Sequence, residues 1–121
     1  NLTIKNCSFN GNRGFGVEIR SGSVTFDFCT FNGNQGSSAT AGGISNKAVA
    51  TVHNSSFSQN ADYHYRNSNA ATQDAANNYW QTKAEVDGKP VTDASILMKI
   101  SGAVTITGWK TAAIAGSGCG W

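Results

Sequence analysis

The most chemically varied stretch of the chain runs from Asp62 to Arg66, where an acid, two tyrosines, a histidine and an arginine occur together. Tyrosine rings stack on sugar rings, and the polar side chains can hydrogen-bond to hydroxyls or carboxylates. Because the stretch interrupts a pattern of short strands, we expect it to project as a loop. The sequence therefore predicts a glycan-binding site, with an ordinary exposed polar loop as the alternative. The candidate ligand-binding residues are Asp62, Tyr63, His64, Tyr65 and Arg66.

Histidines and cysteines are the residues that could hold a transition metal, but their spacing does not favour a site. His53 and His64 are well separated in the chain, and no third ligand accompanies them in the sequence. The three cysteines lack the paired spacing of zinc sites. We therefore expect no metal and no cofactor.

Carboxylates decide whether a polysaccharide hydrolase site is present, since glycoside hydrolysis needs two of them facing one bond. Within the repeating part of the chain, 1–81, the carboxylates are Glu18, Asp27, Asp62 and Asp74. No pair of them recurs at one aligned position, so no catalytic residue is predicted within the chain. An active site in coils that precede Asn1 remains an alternative.

The composition predicts a folded chain rich in tight turns. Only 13% of the 121 residues are charged, and the net charge is +2. Nucleic-acid binding, which needs a basic stripe, is not expected. No apolar run approaches the ~20 residues of a membrane span. Asn, Gly and Ser make up a third of the chain, but 39% hydrophobic residues oppose disorder. Gly and Asn supply the positive φ values that turns require.

An internal repeat determines the fold class. Segments 2–12, 24–34 and 50–60 align, and the longer second interval places an insertion within 36–43. Polar and apolar residues alternate within each segment, which is typical of strands. Because one coil of strands cannot bury its own apolar face, the coils must stack, about 4.8 Å apart. Stacking predicts three interior ladders: Phe9, Phe31 and Phe57; Asn12, Asn34 and Asn60; Cys7 and Cys29.

The cysteine ladder admits two interpretations. The Cα atoms of Cys7 and Cys29 would lie about 5 Å apart, within disulfide range. Parallel, in-register side chains point the same way, however, which favours two buried thiols. Cys119 is left over, and it is free, pairs between molecules or reaches back to one of the other two.

The segment from Ile4 to Asn12, read as I-x-N-C-x-F-x-x-N, resembles the repeats of right-handed parallel β-helices. Such repeats occur in pectate-lyase-like proteins, bacterial surface adhesins and the periplasmic copper-delivery repeat family. The segment 74–80 is similar to the coil that often ends these helices, with Gln81 where Gly is usual. The resemblance implies an all-β, right-handed parallel β-helix of three to four coils with a C-terminal cap. It also implies an extracellular, cell-surface or periplasmic location.

We expect one structural domain, in which residues 1–81 form the coils and residues 82–121 form a non-repeating cap and a Gly-rich tail. A short helix should begin with Thr92 or Asp93 as its N-cap. A strand over 103–109 should follow it. Such a segment would cover the last coil, whose apolar core and strand edges are otherwise open.

The expectations about partners rest on the two ends of the chain. The chain opens at Asn1 inside a repeat, without an initiator Met or a signal peptide, which favours a processed chain or a fragment. The first strand has no visible cap and should pair with another copy, head to tail. The tail from 115 to 121 is either a frayed terminus or an arm that docks on a neighbour.

The first hypothesis for function is a non-enzymatic structural or adhesive module that assembles into filaments. The second is the C-terminal part of a carbohydrate-active enzyme, a lyase or hydrolase, or a glycan-binding module.

Overall fold

The computed structural model describes residues 1–35 and 42–118, and strands dominate this part of the chain. Most of the predicted insertion, together with Cys119, lies outside the described residues. The first strands come in groups of three, which we call layers. The first layer is β1 (Leu2–Lys5), β2 (Ser8–Asn10) and β3 (Phe15–Ile19). The second is β4 (Ser23–Asp27), β5 (Thr30–Asn32) and β6 (Gly42–Asn46). The third is β7 (Val49–His53), β8 (Ser56–Ser58) and β9 (Tyr63–Asn67).

The remaining elements are shorter. They are β10 (Gln73–Asp74), β11 (Tyr79–Trp80), the helices α1 (Lys83–Val86) and α2 (Asp93–Leu97), β12 (Ile100–Ser101) and β13 (Val104–Thr105). Neither helix in the described part of the chain is long and apolar enough to cross a membrane.

Each layer contributes one strand to each of three sheets, and all pairings are parallel. Sheet A has the order β1-β4-β7, sheet B has β2-β5-β8-β11, and sheet C has β3-β6-β9-β12. The register pairs Phe9 with Phe31 and Phe31 with Phe57. The predicted all-β class and the predicted alignment of the three repeat segments are therefore confirmed.

A left-handed residue turns the chain two positions before each strand of sheet B. Asn6, Asn54 and Asn77 have φ values of 52°, 52° and 63°. Asparagine tolerates this conformation because its short polar side chain can hydrogen-bond locally. Phe28 holds the same place in the second layer with a φ of 53°. A bulky aromatic residue is strained there.

Side chains from the three sheets meet in a common core. Phe26 of sheet A packs edge-on against Phe9 and Phe31 of sheet B, with ring centroids 5.9 and 5.4 Å apart. The Tyr65 hydroxyl of sheet C donates to the carbonyl of Ala50 in sheet A at 2.6 Å. Apolar burial and interior hydrogen bonds thus link sheets that share no strand.

Parallel pairing continues into the stretch from Ile100 to Lys110, within the segment predicted as a non-repeating cap. β12 pairs with β9 in sheet C, β13 pairs with β10, and Lys110 forms a parallel bridge with Tyr79 of β11. The strand predicted over 103–109 is reduced to β13. The sequence gives little signal for this pairing, because two helices intervene and each of these strands is very short.

The predicted short helix is confirmed as α2. Thr92 is its N-cap, and its hydroxyl accepts from the Ser95 amide while the Ser95 hydroxyl accepts from the Thr92 amide. This capping box satisfies backbone donors that the first turn leaves free. Ile96 is the fully buried residue of the helix, and it belongs to the core.

The described end of the tail returns along sheet B of its own chain. We call residues 114–118 the strap. It is held by hydrogen bonds from Ile114 N to Ser56 Oγ at 2.8 Å, from Asn6 Nδ2 to Gly116 O at 3.0 Å and from Gly118 N to Phe28 O at 2.8 Å. The strap therefore spans all three layers, from Ser56 in the third to Asn6 in the first.

Candidate functional site

The stretch predicted as a projecting loop is a strand. Residues Tyr63–Asn67 form β9, which lies between β6 and β12 in sheet C. Backbone hydrogen bonds to strands on both sides hold it in place, and aromatic residues favour such a pleated environment. The loop prediction was therefore wrong, and only Asp62 of the five candidates lies outside the strand.

His64 faces the interior instead of solvent. Its Nδ1 accepts from the side-chain amide of Asn60 at 3.0 Å, and its Nε2 donates to the carbonyl of Gln81 at 2.6 Å. Since a carbonyl can only accept, Nε2 carries the ring proton. Complete burial lowers the pKa of His64 to about 3. The ring is therefore neutral and structural, with Phe57 and Trp80 as its aromatic neighbours.

Tyr65 is also fully buried, and its hydroxyl is consumed by the bond to Ala50 described above. Burial raises the pKa of Tyr65 above its ordinary range, so the hydroxyl stays protonated and donates. Neither His64 nor Tyr65 can stack on a sugar from the surface. The structure therefore divides the five predicted residues, leaving Asp62, Tyr63 and Arg66 partly exposed.

Asp62 lies next to Lys99, in the segment that leads into β12. The ammonium of Lys99 donates to the carbonyls of Asn60 and Ala61 at 2.6 and 2.8 Å. Partial burial lowers the pKa of Lys99, while the nearby Asp62 carboxylate opposes that shift. The contacts tie the turn before β9 to the residue before β12, which is a structural role for this cation.

The phenylalanines predicted to form a ladder stack ring on ring. The ring centroids of Phe9 and Phe31 lie 5.1 Å apart, and those of Phe31 and Phe57 lie 4.6 Å apart, with interplanar angles of 10° and 8°. Trp80 continues the stack 4.4 Å beyond Phe57. The sequence contains a signal for this fourth member, because the interval from Phe57 to Trp80 resembles the interval between successive phenylalanines of the ladder.

The predicted asparagine ladder is joined by side-chain hydrogen bonds. The side-chain amide of Asn12 donates to Asn34 Oδ1 at 2.8 Å, and that of Asn34 donates to Asn60 Oδ1 at 2.9 Å. The second amide hydrogens reach backbone carbonyls, from Asn34 to Phe9 and from Asn60 to Phe31. Buried amide groups cost little when every donor is satisfied in this way.

Cys7 and Cys29 are free thiols in one column, and Cys29 is fully buried. The column continues to Ser55 and Asn78. Ser55 Oγ accepts from the Cys29 amide at 3.0 Å, and Asn78 Oδ1 accepts from the Ser55 amide at 2.8 Å. Burial raises the pKa of the Cys29 thiol, which keeps it unreactive.

A row of ionisable residues runs along the outer face of sheet A. Lys5, Asp27 and His53 are neighbours in register, and His53 Nε2 lies 2.9 Å from Asp74 Oδ2. Opposite charges on neighbouring strands stabilise a sheet. Within residues 1–35 and 42–118, no three His, Cys, Asp or Glu side chains are grouped so that they could hold a metal ion.

The outer face of sheet C carries a different pattern, on a surface that we call the sheet C groove. The register of β3, β6 and β9 sets one row of side chains side by side, and a second row follows directly after the last residue of each strand. Backbone hydrogen bonds from Lys47 N to Ile19 O and from Ser68 N to Asn46 O extend the pairing to this second row. The first row is Glu18, Ser45 and Arg66, the second is Arg20, Lys47 and Ser68, and all six line the groove.

The comparisons with known proteins add no family. No protein-family model, curated protein or solved structure matches this chain.

Proposed function

We propose that the three sheets close into a right-handed parallel β-helix that serves as a non-enzymatic structural or adhesive module outside the cell or in the periplasm. The contacts between sheets support closure: Phe26 joins A to B, His64 joins C to B, and Tyr65 joins C to A. Right-handedness is supported by the strong preference of parallel crossover connections, since each layer returns the chain to the same sheet.

A structural role is supported by how the polar interior residues are used. Asn34, Asn60 and Asn78 each bond to a neighbouring layer through both ends of the amide. His64 has both ring nitrogens occupied. Such groups hold one layer to the next and leave no interior donor or acceptor of these four side chains for a substrate.

The observation that carries the proposal is the contrast between the two ends of the stack. β1, β2 and β3 are edge strands of sheets A, B and C, each with a neighbour on one side only in the described chain. At the opposite end, α2 packs beside β12 and buries Ile96. Unpaired strand edges are templates for further pairing. We infer that the β1–β3 edges join to another copy.

Covering of one end by α2 favours a closed pair over an open filament. An interface that uses the same surface of both copies generates a two-fold dimer and then stops. A head-to-tail interface would need free strand edges at this end of the stack, where α2 lies close to β12. The exposed Leu2 on β1, 56% accessible, would be covered in either assembly.

The test is a substitution that removes one outward-facing amide of β1. The Asn6 amide donates to Asp27 of β4, so the amides at positions 5 and 3, which alternate with it, face away from β4. Thr3→Pro deletes such a donor, and Thr3→Val keeps it with a side chain of similar size. Sedimentation velocity over a range of concentrations should give a dimer for the wild-type chain and for Thr3→Val. It should give a monomer for Thr3→Pro.

Circular dichroism must show the same strand content in all three proteins. A wild-type chain that stays monomeric would contradict self-association, and so would a Thr3→Pro variant that dimerises as strongly as Thr3→Val. Long fibres in negative-stain images would instead support assembly and overturn the closed dimer.

A further inference from the structure

We propose that the sheet C groove binds a phosphate monoester. The structural role proposed above requires no such ligand. The groove contains three cations, Arg20, Lys47 and Arg66, and one carboxylate, Glu18. Its excess of two positive charges equals the net charge of the whole chain, +2. The excess charge is thus concentrated on one face of one sheet.

The unbalanced charges are the reason to infer a ligand. Arg20 pairs with Glu18 at 3.3 Å, but no carboxylate in the described ranges lies within ion-pair distance of Lys47 or Arg66. Like charges on neighbouring strands destabilise a sheet. The outer face of sheet A avoids that cost because Asp27 lies next to Lys5 in register, whereas in the sheet C groove Lys47 lies next to Arg20. A bound anion would remove the repulsion.

The register places the three cations close together along the groove. Neighbouring strands are about 4.8 Å apart, and residues i and i+2 of a strand are about 6.6 Å apart. The backbone hydrogen bond from Lys47 N to Ile19 O continues this spacing past the strand ends, so Lys47 is beside Arg20 and diagonal to Arg66, at backbone separations of about 5 and 8 Å. Long arginine and lysine side chains on such a grid can converge on a single anion. Ser45 and Ser68 complete the two rows and offer hydroxyl donors.

The chemistry of these groups favours phosphate over carboxylate. An arginine fork donates two parallel hydrogen bonds to a phosphate, and a lysine adds a compact charge. A phosphate monoester carries about −1.5 to −2 charges at neutral pH, which matches the excess of the groove. A carboxylate would neutralise only half of that excess.

The test is isothermal titration calorimetry on the full chain at low ionic strength, with inorganic phosphate and a sugar phosphate as probes and acetate as the monoanion control. Both phosphates should bind saturably and at least about tenfold more tightly than acetate. Arg66→Gln and Lys47→Gln should each weaken phosphate binding by about tenfold, and Glu18→Gln should strengthen it severalfold. Arg13→Gln, which removes an exposed arginine outside the groove, is the matched control and should change little.

The pH dependence provides a second readout. Because the second pKa of a phosphate monoester is about 6, affinity for the sugar phosphate should rise between about pH 5 and pH 7.5, while that for sulfate stays flat. Any of four results overturns the proposal: no saturable heat with phosphate up to about 10 mM, acetate that binds as tightly, equal losses in Arg66→Gln and Arg13→Gln, or tighter binding of a single-stranded oligonucleotide than of the monoesters.

Discussion

Asn60 donates a side-chain hydrogen bond to Nδ1 of His64 at 3.0 Å, which joins the asparagine ladder to the middle of sheet C. The other amide hydrogen of Asn60 reaches the Phe31 carbonyl, and the other nitrogen of His64 reaches the Gln81 carbonyl. His64, which the sequence predicts to be a ligand-binding residue in a surface loop, thus holds layers together.

The burial of neutral His64 predicts a pH-dependent stability. Its pKa is about 3 in the folded chain, against an ordinary value of about 6.5. Above about pH 6.5 both the folded and unfolded states hold it neutral, so its contribution to stability is complete. Below that pH the unfolded state takes up a proton first. The free energy of unfolding should fall by up to about 1.4 kcal/mol per pH unit as the pH approaches 3.

Urea unfolding at about pH 7, 6 and 5 measures this slope, and two variants assign it. His64→Gln keeps an acceptor and a donor but cannot titrate, so its stability should depend less on pH. His53→Gln removes the surface histidine beside Asp74 and should keep most of the wild-type slope. Equal slopes for the wild type and His64→Gln would show that His64 does not titrate between the two states as described.

The strained position of Phe28 predicts a stabilising substitution. Its column mates Asn6, Asn54 and Asn77 share the left-handed conformation, which a bulky residue adopts only at a cost of about 1–2 kcal/mol. Phe28→Asn should therefore raise the free energy of unfolding by about 1 kcal/mol. Phe28→Leu loses the ring but keeps the strain, so it should not stabilise. The midpoints of thermal unfolding of both variants test this prediction. A Phe28→Asn variant no more stable than Phe28→Leu would show that backbone strain at position 28 does not reduce stability.

The strap predicts a difference between two of its glycines. Both have positive φ, 80° at Gly116 and 83° at Gly118, so alanine is strained at either position. A Cβ on Gly116 meets nothing within 4 Å, but one on Gly118 would lie 2.6 Å from Thr30 Oγ1. Gly118→Ala should therefore displace the strap from sheet B, whereas Gly116→Ala should leave the strap in place.

The Ile114 amide donates to Ser56 Oγ, so its rate of hydrogen exchange reports whether the strap is bound to sheet B. It should accelerate clearly in Gly118→Ala relative to Gly116→Ala. Equal protection in the two variants would mean that the clash with Thr30 does not control the strap.

The layers could be predicted where identical residues recur at a regular spacing. The Phe and Asn ladders repeat one residue type, and stacking identical rings or amides is itself the physical reason for the repetition. The third strand of each layer has no such signal. In sheet C, Gly16, Gly43 and His64 occupy one column, and their side chains have nothing in common.

Close packing against both backbone and rings explains that column. A Cβ on Gly43 would lie 2.3 Å from the His64 carbonyl oxygen and 3.1 Å from the Phe57 ring, and one on Gly16 would lie 3.1 Å from the Gly43 carbonyl oxygen. At His64 the neighbouring rings are Phe57 and Trp80, and the imidazole fits at centroid distances of 5.9 and 6.2 Å. Which residues the core admits thus depends on three-dimensional packing, so the sequence alone suggests a polar loop at Asp62–Arg66.

The most direct test of the stacked-layer account is a nuclear Overhauser spectrum of the aromatic ring protons at neutral pH. We expect contacts in one order, from Phe9 to Phe31, from Phe31 to Phe57 and from Phe57 to Trp80, with His64 touching the last two rings. The contacts along the stack link rings that are far apart in the chain and that only stacked layers bring together. A spectrum in which Phe31 shows contacts to neither Phe9 nor Phe57, or in which the His64 ring protons contact only solvent, would contradict it.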